Sequence, residues 1–372
     1  MAFLDLRNMN PIFTSWFGLL GPRFAVTLTA GSTAGPQKTL PPHGPKKDGG
    51  TLARRPRTVV NNEHRNRSVS AAARRRVTVV IVSYNSSQHL PRLFAALPAA
   101  SESRTKIQVV VADNASTDDS AELVRLLWPS AELVQMAQNL GYAAGINAAV
   151  EAAGPSDAIL ALNADIQMAP SCVDQLLDGL DGVDVGITVP RLVDSTGDLA
   201  HSLRREPRVA STLFEAVFGG NRSGWVSRFG ETIAEPQAYE RSTQADWATG
   251  AAMMISRQCW EATGPWDESF FLFSEEADYA LRSRDAGFRL SLVPEAEAIH
   301  LGGPSHEDPR LWSMLVINKL RLFRRRNGQL RSASFWVALT INEAIRAAIG
   351  RRVHRAGLMA LLLKSRRPPE VR

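Results

Sequence analysis

The side chains best placed for chemistry in this sequence are polar residues that close apolar runs. Ala158 to Asp165 reads AILALNAD, an apolar stretch that ends in Asn163-Ala164-Asp165. A short continuous apolar run is a strand buried on both faces, as in the middle of a parallel sheet. A carboxylate where such a strand ends lies at the carboxyl edge, where open α/β sheets bind ligands. A single Asp there can simply be solvated. Three further polar groups also follow apolar runs: Ser83-Tyr84-Asn85, Asp113-Asn114 and His300. Together they describe a polar cleft along one sheet edge. A separate acidic group, Glu275-Glu276-x-Asp278, stands where a helix opens, a position that the helix dipole alone would favour for carboxylates.

The elements that must carry these residues follow from the apolar periodicity. VTVVIVSYN from Val77 is a buried strand, followed by a helix with Leu90, Leu93, Phe94 and Leu97 on one face. IQVVVADNAS is a second strand, with Ser116 or Thr117 as cap for a helix carrying Leu123, Leu126 and Leu127. Ala131 to Met136 is a third strand, and Asn139-Leu140-Gly141 turns into a small-residue helix. The strand at 158–165 comes next, then a helix with Pro170 in its first turn, then VGITVP. Strands alternating with helices at this spacing give an α/β fold with a mostly parallel sheet and helices on both faces. Residues 191–245 read as a long, partly helical insertion. Order returns with DWATGAAMMISR, a GPWD turn, the acidic helix, FRLSLVP and AIHLGG.

Composition narrows the function. The net charge of +6 hides a division. Residues 1–76 hold 13 Lys/Arg against 3 Asp/Glu, and residues 319–372 hold 14 against 2. Between them lie 16 basic and 32 acidic residues. An acidic centre argues against nucleic acid as the substrate, because phosphate backbones are bound by basic surfaces. The basic ends suit anionic lipid or plain solvation. Residues 1–76, rich in Pro, Gly, Arg, Asn and Ser, read as a disordered basic extension. Cys172 and Cys259 give no disulfide framework, so a reducing compartment fits best. No run of about 18 apolar residues occurs, and Arg7 and Arg23 interrupt the mildly apolar residues 1–30, so neither a membrane span nor a signal peptide is expected. No Gly-x-Gly-x-x-Gly follows the first strand and no Walker lysine motif occurs, so dinucleotide and phosphate-loop chemistry are set aside.

Six segments in order now carry a resemblance: VTVVIVSYN, VVVADNASTDDS, NLGYAAGIN, LALNAD, WATGAAMMISR and GPWDESFFLFSEEADYALRSRDAG. Over residues 77–305 the chain resembles a family-2 glycosyltransferase of GT-A fold, nearest its rhamnosyltransferase-like bacterial branch. The resemblance implies a nucleotide-sugar donor, Mg²⁺ or Mn²⁺, and an inverting transfer. Asp113 matches the carboxylate that accepts from the imide N–H of a uracil or thymine base, with Ser83, Tyr84 and Asn85 beside it. Asn139 and Gly141 match the loop that passes close to the nucleotide. Asn163 matches the first position of the Asp-x-Asp motif and implies a contact to ribose or metal-bound water. Asp165 matches the acid that holds the metal, and His300 a histidine that completes the metal site. Glu276 matches the catalytic base of the Glu-Asp-x-Asp motif, with Glu275 or Asp278 as the fallback. Glu in place of Asp lets the base reach about 1.5 Å further. Trp247 and Gly250 match the acceptor-side strand.

Taken residue by residue, plainer readings stay open. Asp113 can cap a helix, Gly141 can serve a turn, Trp247 can fill core, and His300 can be structural. The C-terminal segment, 306–372, is expected to be a basic amphipathic helical tail. Between Lys319 and Arg367 it holds 13 basic residues and the single acid Glu343, interleaved with apolar positions. Such a tail suits the anionic inner face of the cell membrane, or packs on the core with a solvated basic face. The combined expectation is a cytoplasmic, peripherally membrane-associated enzyme that moves a sugar, rhamnose first, from a dTDP- or UDP-sugar. Its acceptor would be a hydroxyl of a lipid-linked or polysaccharide molecule in cell-envelope glycan synthesis. The alternatives are a nucleotidyltransferase of similar fold, or an inactive glycan-binding scaffold. SYNSSQHL lacks the Gly-rich basic loop that the first alternative needs, and the acids whose loss would favour the second are all present.

Overall fold

A computed structural model describes residues 75–101, 105–218, 229–302 and 307–371. Most of the expected N-terminal extension, residues 1–74, lies outside these, as do positions 303–306 around the expected 305/306 boundary. Arg75 and Arg76 instead open the first strand. Residues Val69–Arg372 form one compact unit.

The first half alternates as the apolar pattern requires: β1 (Arg75–Ser83), α1 (Leu90–Ala100), β2 (Thr105–Asp113), α2 (Ser120–Leu127), β3 (Glu132–Gln135), α3 (Tyr142–Ala152) and β4 (Ala158–Asn163). Then follow β5 (Ile166–Met168), α4 (Cys172–Gly179), β6 (Val185–Val193), β7 (Leu203–Arg204) and α5 (Val209–Phe218). The chain continues through β8 (Gln244–Ala245), β9 (Trp247–Ala248), β10 (Ala252–Ser256), α6 (Arg257–Thr263), α7 (Glu275–Asp285) and β11 (Arg289–His300). Three helices close it: α8 (Pro309–Arg326), α9 (Gln329–Ala348) and α10 (Arg352–Leu362).

The main sheet runs β3-β2-β1-β4-β10-β6-β11-β5, with β8 paired to β11. Strands β1, β2, β3, β4, β6 and β11 share one direction, and β5, β8 and β10 oppose them. The sheet is therefore mostly parallel. Strand β1 shows how both faces are buried. Val77, Val79 and Ile81 face Leu90, Leu93 and Leu97 of α1 and Leu176 of α4. Val80 and Val82 face Ala143, Ile146 and Ala149 of α3. The two-residue period of a strand sends alternate side chains to opposite layers.

Several local expectations are revised. Pro170 does not start a helix: Ile166–Met168 pairs with β11 as a strand, Ser171 takes a left-handed conformation, and α4 opens at Cys172. Ser116 and Thr117 do not cap α2. The Ser116 hydroxyl accepts from the Asn85 N–H, and the Thr117 N–H donates to the Asn85 side chain. Loop 114–119 is thereby tied to the end of β1. FRLSLVP and AIHLGG belong to one long strand, β11, with an irregularity between Val293 and Glu297. DWATGAAMMISR divides into β9 and β10 around Gly250.

Helices α8 to α10 bury a core of their own, in which Phe323 and Phe335 stack with ring centroids 3.9 Å apart. Asp308 caps α8 by accepting from the N–H groups of Arg310 and Leu311. This helical layer is joined to the 267–273 loop: Phe271, Leu272 and Phe273 pack against it, and the Asn318 amide donates to the Leu272 carbonyl at 2.9 Å. Lys319 makes a buried ion pair with Glu231 at 2.5 Å, and Arg326 pairs with Glu206 and Asp285. Part of the tail's positive charge is thus neutralised inside the fold.

Candidate active site

Strand register brings the first polar groups together. Ser83 ends β1 directly opposite Asp113 at the end of β2, and Asn163 ends β4 opposite Val82. Ser83 and Asp113 are buried. One Asp113 oxygen accepts from the Ser116 N–H at 3.2 Å, while Oδ1 and the Ser83 hydroxyl have no hydrogen-bond partner among the described residues. An unmet buried acceptor carries a desolvation cost that a bound donor would remove. Tyr84, 51% exposed, stands at the same edge. The Asn85 side chain is spent on the 116–117 loop, accepting from the Thr117 N–H at 2.8 Å.

Asn114, which the motif reading left without a role, holds the neighbouring loop. Its amide donates to the Gly141 carbonyl and its Oδ1 accepts from the Leu140 N–H, both at 3.0 Å. Asn139 accepts from the Gly141 N–H. Gly141 has φ +94° and ψ 176°, a region open essentially to glycine. A Cβ there would lie 2.2 Å from the Phe271 carbonyl oxygen. The clash that demands glycine is therefore with the backbone before α7. Gly141→Ala is expected to destabilise the fold by more than about 2 kcal/mol, since the conformation alone costs about 1–3 kcal/mol. Urea unfolding of the two proteins measures it, and equal midpoints would contradict the close approach.

Asp165 sits between β4 and β5, and its Oδ2 lies 3.3 Å from His300 Nε2 at the end of β11. Burial raises its carboxyl, but the hydrogen bond and charge of His300 outweigh this and hold it below the ordinary value. Two neighbouring ligands of an octahedral Mg²⁺, each at about 2.1 Å, lie about 3 Å apart. The pair therefore fits one edge of a divalent cation's shell. No third His, Cys, Asp or Glu among the described residues joins it. Such a metal needs further oxygens, and donor phosphates and water are the usual source.

The acidic group lies across the cleft from this pair, in the first turn of α7. Phe273 and Ser274, in left-handed conformations, turn the chain into it. Glu275 is buried; its own burial and the neighbouring Glu276 charge hold its carboxyl well above the usual range. Glu276 is half-buried and pushed up to about 7 by burial, with backbone N–H groups and Arg204 pulling the other way. One oxygen of each has no hydrogen-bond partner among the described residues. Asp278 instead accepts from Arg282 at 2.7 Å. Gly250 faces this turn: a Cβ built on it would sit 3.1 Å from the Glu276 Cβ. Trp247 donates to the Arg205 carbonyl at 3.0 Å and lies 5.9 Å from the Arg204 guanidinium. Two residues missed by motif reading stand here. Tyr142 donates to the Gly250 carbonyl at 3.3 Å, and burial, Glu275, Glu276 and Asp165 all raise its hydroxyl. Arg204 lies opposite Trp247 on β7. The tyrosine was visible in NLGY directly after Gly141; nothing in the sequence pointed to Arg204.

Residues 78–235 match the model of glycosyl transferase family 2. The N-acetylglucosaminyl-diphospho-decaprenol L-rhamnosyltransferase of Mycobacterium tuberculosis is 30% identical over 235 residues, covering 60% of this chain and 75% of that protein. The chain belongs to glycosyl transferase family 2. The rhamnosyltransferase WbbL of Escherichia coli K12 is 26% identical to this glycosyltransferase, covering 63% of it and 85% of WbbL. A crystal structure of GalNAc-T7 with UDP, GalNAc and Mn²⁺ superposes with a TM-score of 0.50 at 14% identity, over 67% of this glycosyltransferase and 48% of that chain. That likeness concerns the GT-A fold. A surface cavity of about 860 Å³, lined by Asn147, Trp260, Trp266 and Arg282 among others, holds none of the glycosyltransferase's candidate site residues.

Proposed function

We propose that this glycosyltransferase moves a sugar, rhamnose first, from a dTDP- or UDP-sugar to a hydroxyl of a lipid-linked or polysaccharide acceptor, with inversion. The observation that supports this most is the run of polar groups at adjacent strand ends. Asp113 and Ser83 stand opposite each other at the ends of β2 and β1, Asp165 follows the next strand, β4, beside His300, and Gly250, just before β10, faces Glu276. A base N–H, a diphosphate with its cation and an acceptor hydroxyl ask for these groups in this order.

Asp113 accepts from the imide N–H of the base, and a carboxylate acceptor makes this a strong hydrogen bond. Tyr84 flanks the base. Asn139 and Gly141 shape the loop along the nucleotide, and Asn163 contacts ribose or metal-bound water. Asp165 and His300 would hold Mg²⁺ or Mn²⁺, and the chemistry such an ion would supply there is offset of the donor diphosphate's negative charge. Glu276 removes the acceptor proton on the opposite face, as an inverting displacement needs. Glu275, whose carboxyl is held well above the usual range by burial and by the Glu276 charge, adjoins the base. Asp278 is a positioning residue that acts through Arg282. Gly250 and Trp247 form the acceptor-side wall.

The names of the two rhamnosyltransferases favour rhamnose, and the first favours a diphospholipid acceptor. No helix among the described residues is long and apolar enough to cross a membrane. The proposed location is the cytoplasm, against the inner face of the cell membrane, held there by the basic C-terminal tail. The domain reading is a catalytic unit over 77–305 with a C-terminal helical extension. The test is donor hydrolysis and transfer over a panel of dTDP- and UDP-sugars. Turnover confined to one pyrimidine sugar, dTDP-rhamnose first, is the expected result. Activity with purine nucleotide sugars alone would overturn the assignment of Asp113.

A further inference from the structure

Helix α9 is apolar on two opposite sides. Phe335, Ala338 and Leu339 are buried, and Phe335 and Leu339 belong to the core of the helical layer. The other side faces solvent: Leu330 is 84% exposed, Val337 45% and Ile341 41%. After Arg331, the exposed positions of α9 are Ala333, Ser334, Val337, Ile341 and Ala348, none of them charged. Steps of three, four and seven residues return to one side of a helix, so these positions and Leu330 form one stripe about 27 Å long. A helix on a soluble fold turns polar residues outward, and one that is apolar all round is normally covered.

The charges beside the stripe indicate what covers it. Arg331 stands in the first turn of α9, and Arg351, Arg352 and Arg355 follow its end, all four exposed. No ion pair among the described residues takes up any of them. The one acid between residues 327 and 369 is Glu343, which is buried and held by Trp312 and His354. A second copy of the chain would set these arginines against their own counterparts, because a two-fold contact matches a patch with itself. Like charges brought face to face oppose binding. The chain's own residues 1–76 would do the same, with 13 Lys/Arg against 3 Asp/Glu. An anionic bilayer meets both needs, since acyl chains take the apolar stripe and headgroups take the arginines.

We propose that the outward side of α9 is a membrane-docking surface, with Leu330, Val337 and Ile341 at the headgroup–acyl boundary and the four arginines among the headgroups. The proposal rests on the membrane reading above and gives it an orientation, with α9 lying along the bilayer plane. Apolar tail positions such as Leu339 and Leu361 are buried and take no part.

The test uses the full chain. Cys172 and Cys259 are buried, so Ile341→Cys can be labelled selectively with an environment-sensitive dye. The dye should emit as in water until vesicles of phosphatidylcholine with phosphatidylglycerol are added, and then shift to the blue. Leu126→Cys on α2, where the side chain is 70% exposed, should show no shift, and equal shifts at both positions overturn the face. A dye at 341 that is shielded before lipid is added means that protein covers the stripe, which also overturns it. In sedimentation, Leu330→Gln with Val337→Gln and Ile341→Gln should weaken vesicle binding about 100-fold, near fivefold for each side chain withdrawn. Glutamine is a good helix former, so thermal unfolding of this variant should match the parent. Binding equal to the parent's overturns the face, while a continued dependence on phosphatidylglycerol leaves the wider reading standing. Loss in the variant without that dependence does the reverse: the face stands and attraction by the basic tail falls. A parent that binds no vesicle of either composition overturns both.

Discussion

Asp165→Ala is expected to abolish sugar transfer and to weaken donor binding together with metal binding. The two losses are linked, because the donor diphosphate completes the shell of a cation that the protein holds through few side chains. With Asp165 removed, His300 would be the sole remaining member of the pair now 3.3 Å apart. Three measurements check this: transfer with Mg²⁺ or Mn²⁺, transfer in excess chelator, and Mn²⁺ binding by the protein with and without donor. Full turnover in chelator, or unchanged Mn²⁺ binding by the variant, would remove Asp165 from the metal. Asn163→Ala should cost less, since its backbone N–H, bonded to the Ala251 carbonyl, survives the substitution.

Glu276→Gln is expected to leave donor binding intact and lower transfer by about 10²–10⁴-fold, the usual cost of losing a general base. Its pH dependence supplies an independent mark. In the folded protein the Glu276 carboxyl is pushed up to about 7, mainly by burial, so below that value it keeps its proton and cannot accept another. Transfer should therefore rise with pH through about 7 and level above it, and the rising limb should vanish in the glutamine variant. A limb that persists in Glu276→Gln, with full activity, would shift the role to Glu275. Asp278 is the weaker substitute, because Arg282 already occupies one of its oxygens. Asp278→Asn should act mainly on stability and positioning, lowering kcat by less than the base variant does.

How much of this was legible beforehand depends on sequence distance. Strands β1, β2 and β4 and the helices between them follow from continuous apolar runs and a 3.6-residue period, and register then places Ser83 opposite Asp113. The fold class and the order of polar strand ends were readable for that reason. The partners of those residues were legible only through the resemblance, which set His300 with Asp165: β11 pairs with β5 and closes a contact over more than a hundred residues that no local pattern encodes. The need for glycine at 141 comes from Phe271, and the charge beside Glu276 comes from Arg204 in the least regular stretch. The failed caps have the same kind of cause: Asn85, at the end of the neighbouring strand β1, engages Ser116 and Thr117 instead.

The joint between α8 and the 267–273 loop has a consequence for modularity. A cut near residue 303 would look like the removal of an appendage. It would strip Leu322 from Phe270 and the cap of Asn318 from Leu272, and leave Glu231 buried without Lys319. An unpaired buried charge of that kind commonly costs about 3–5 kcal/mol. The smallest fragment able to fold should therefore run at least through α8, and chimeras that exchange C-terminal helices between relatives should exchange the 267–273 loop with them.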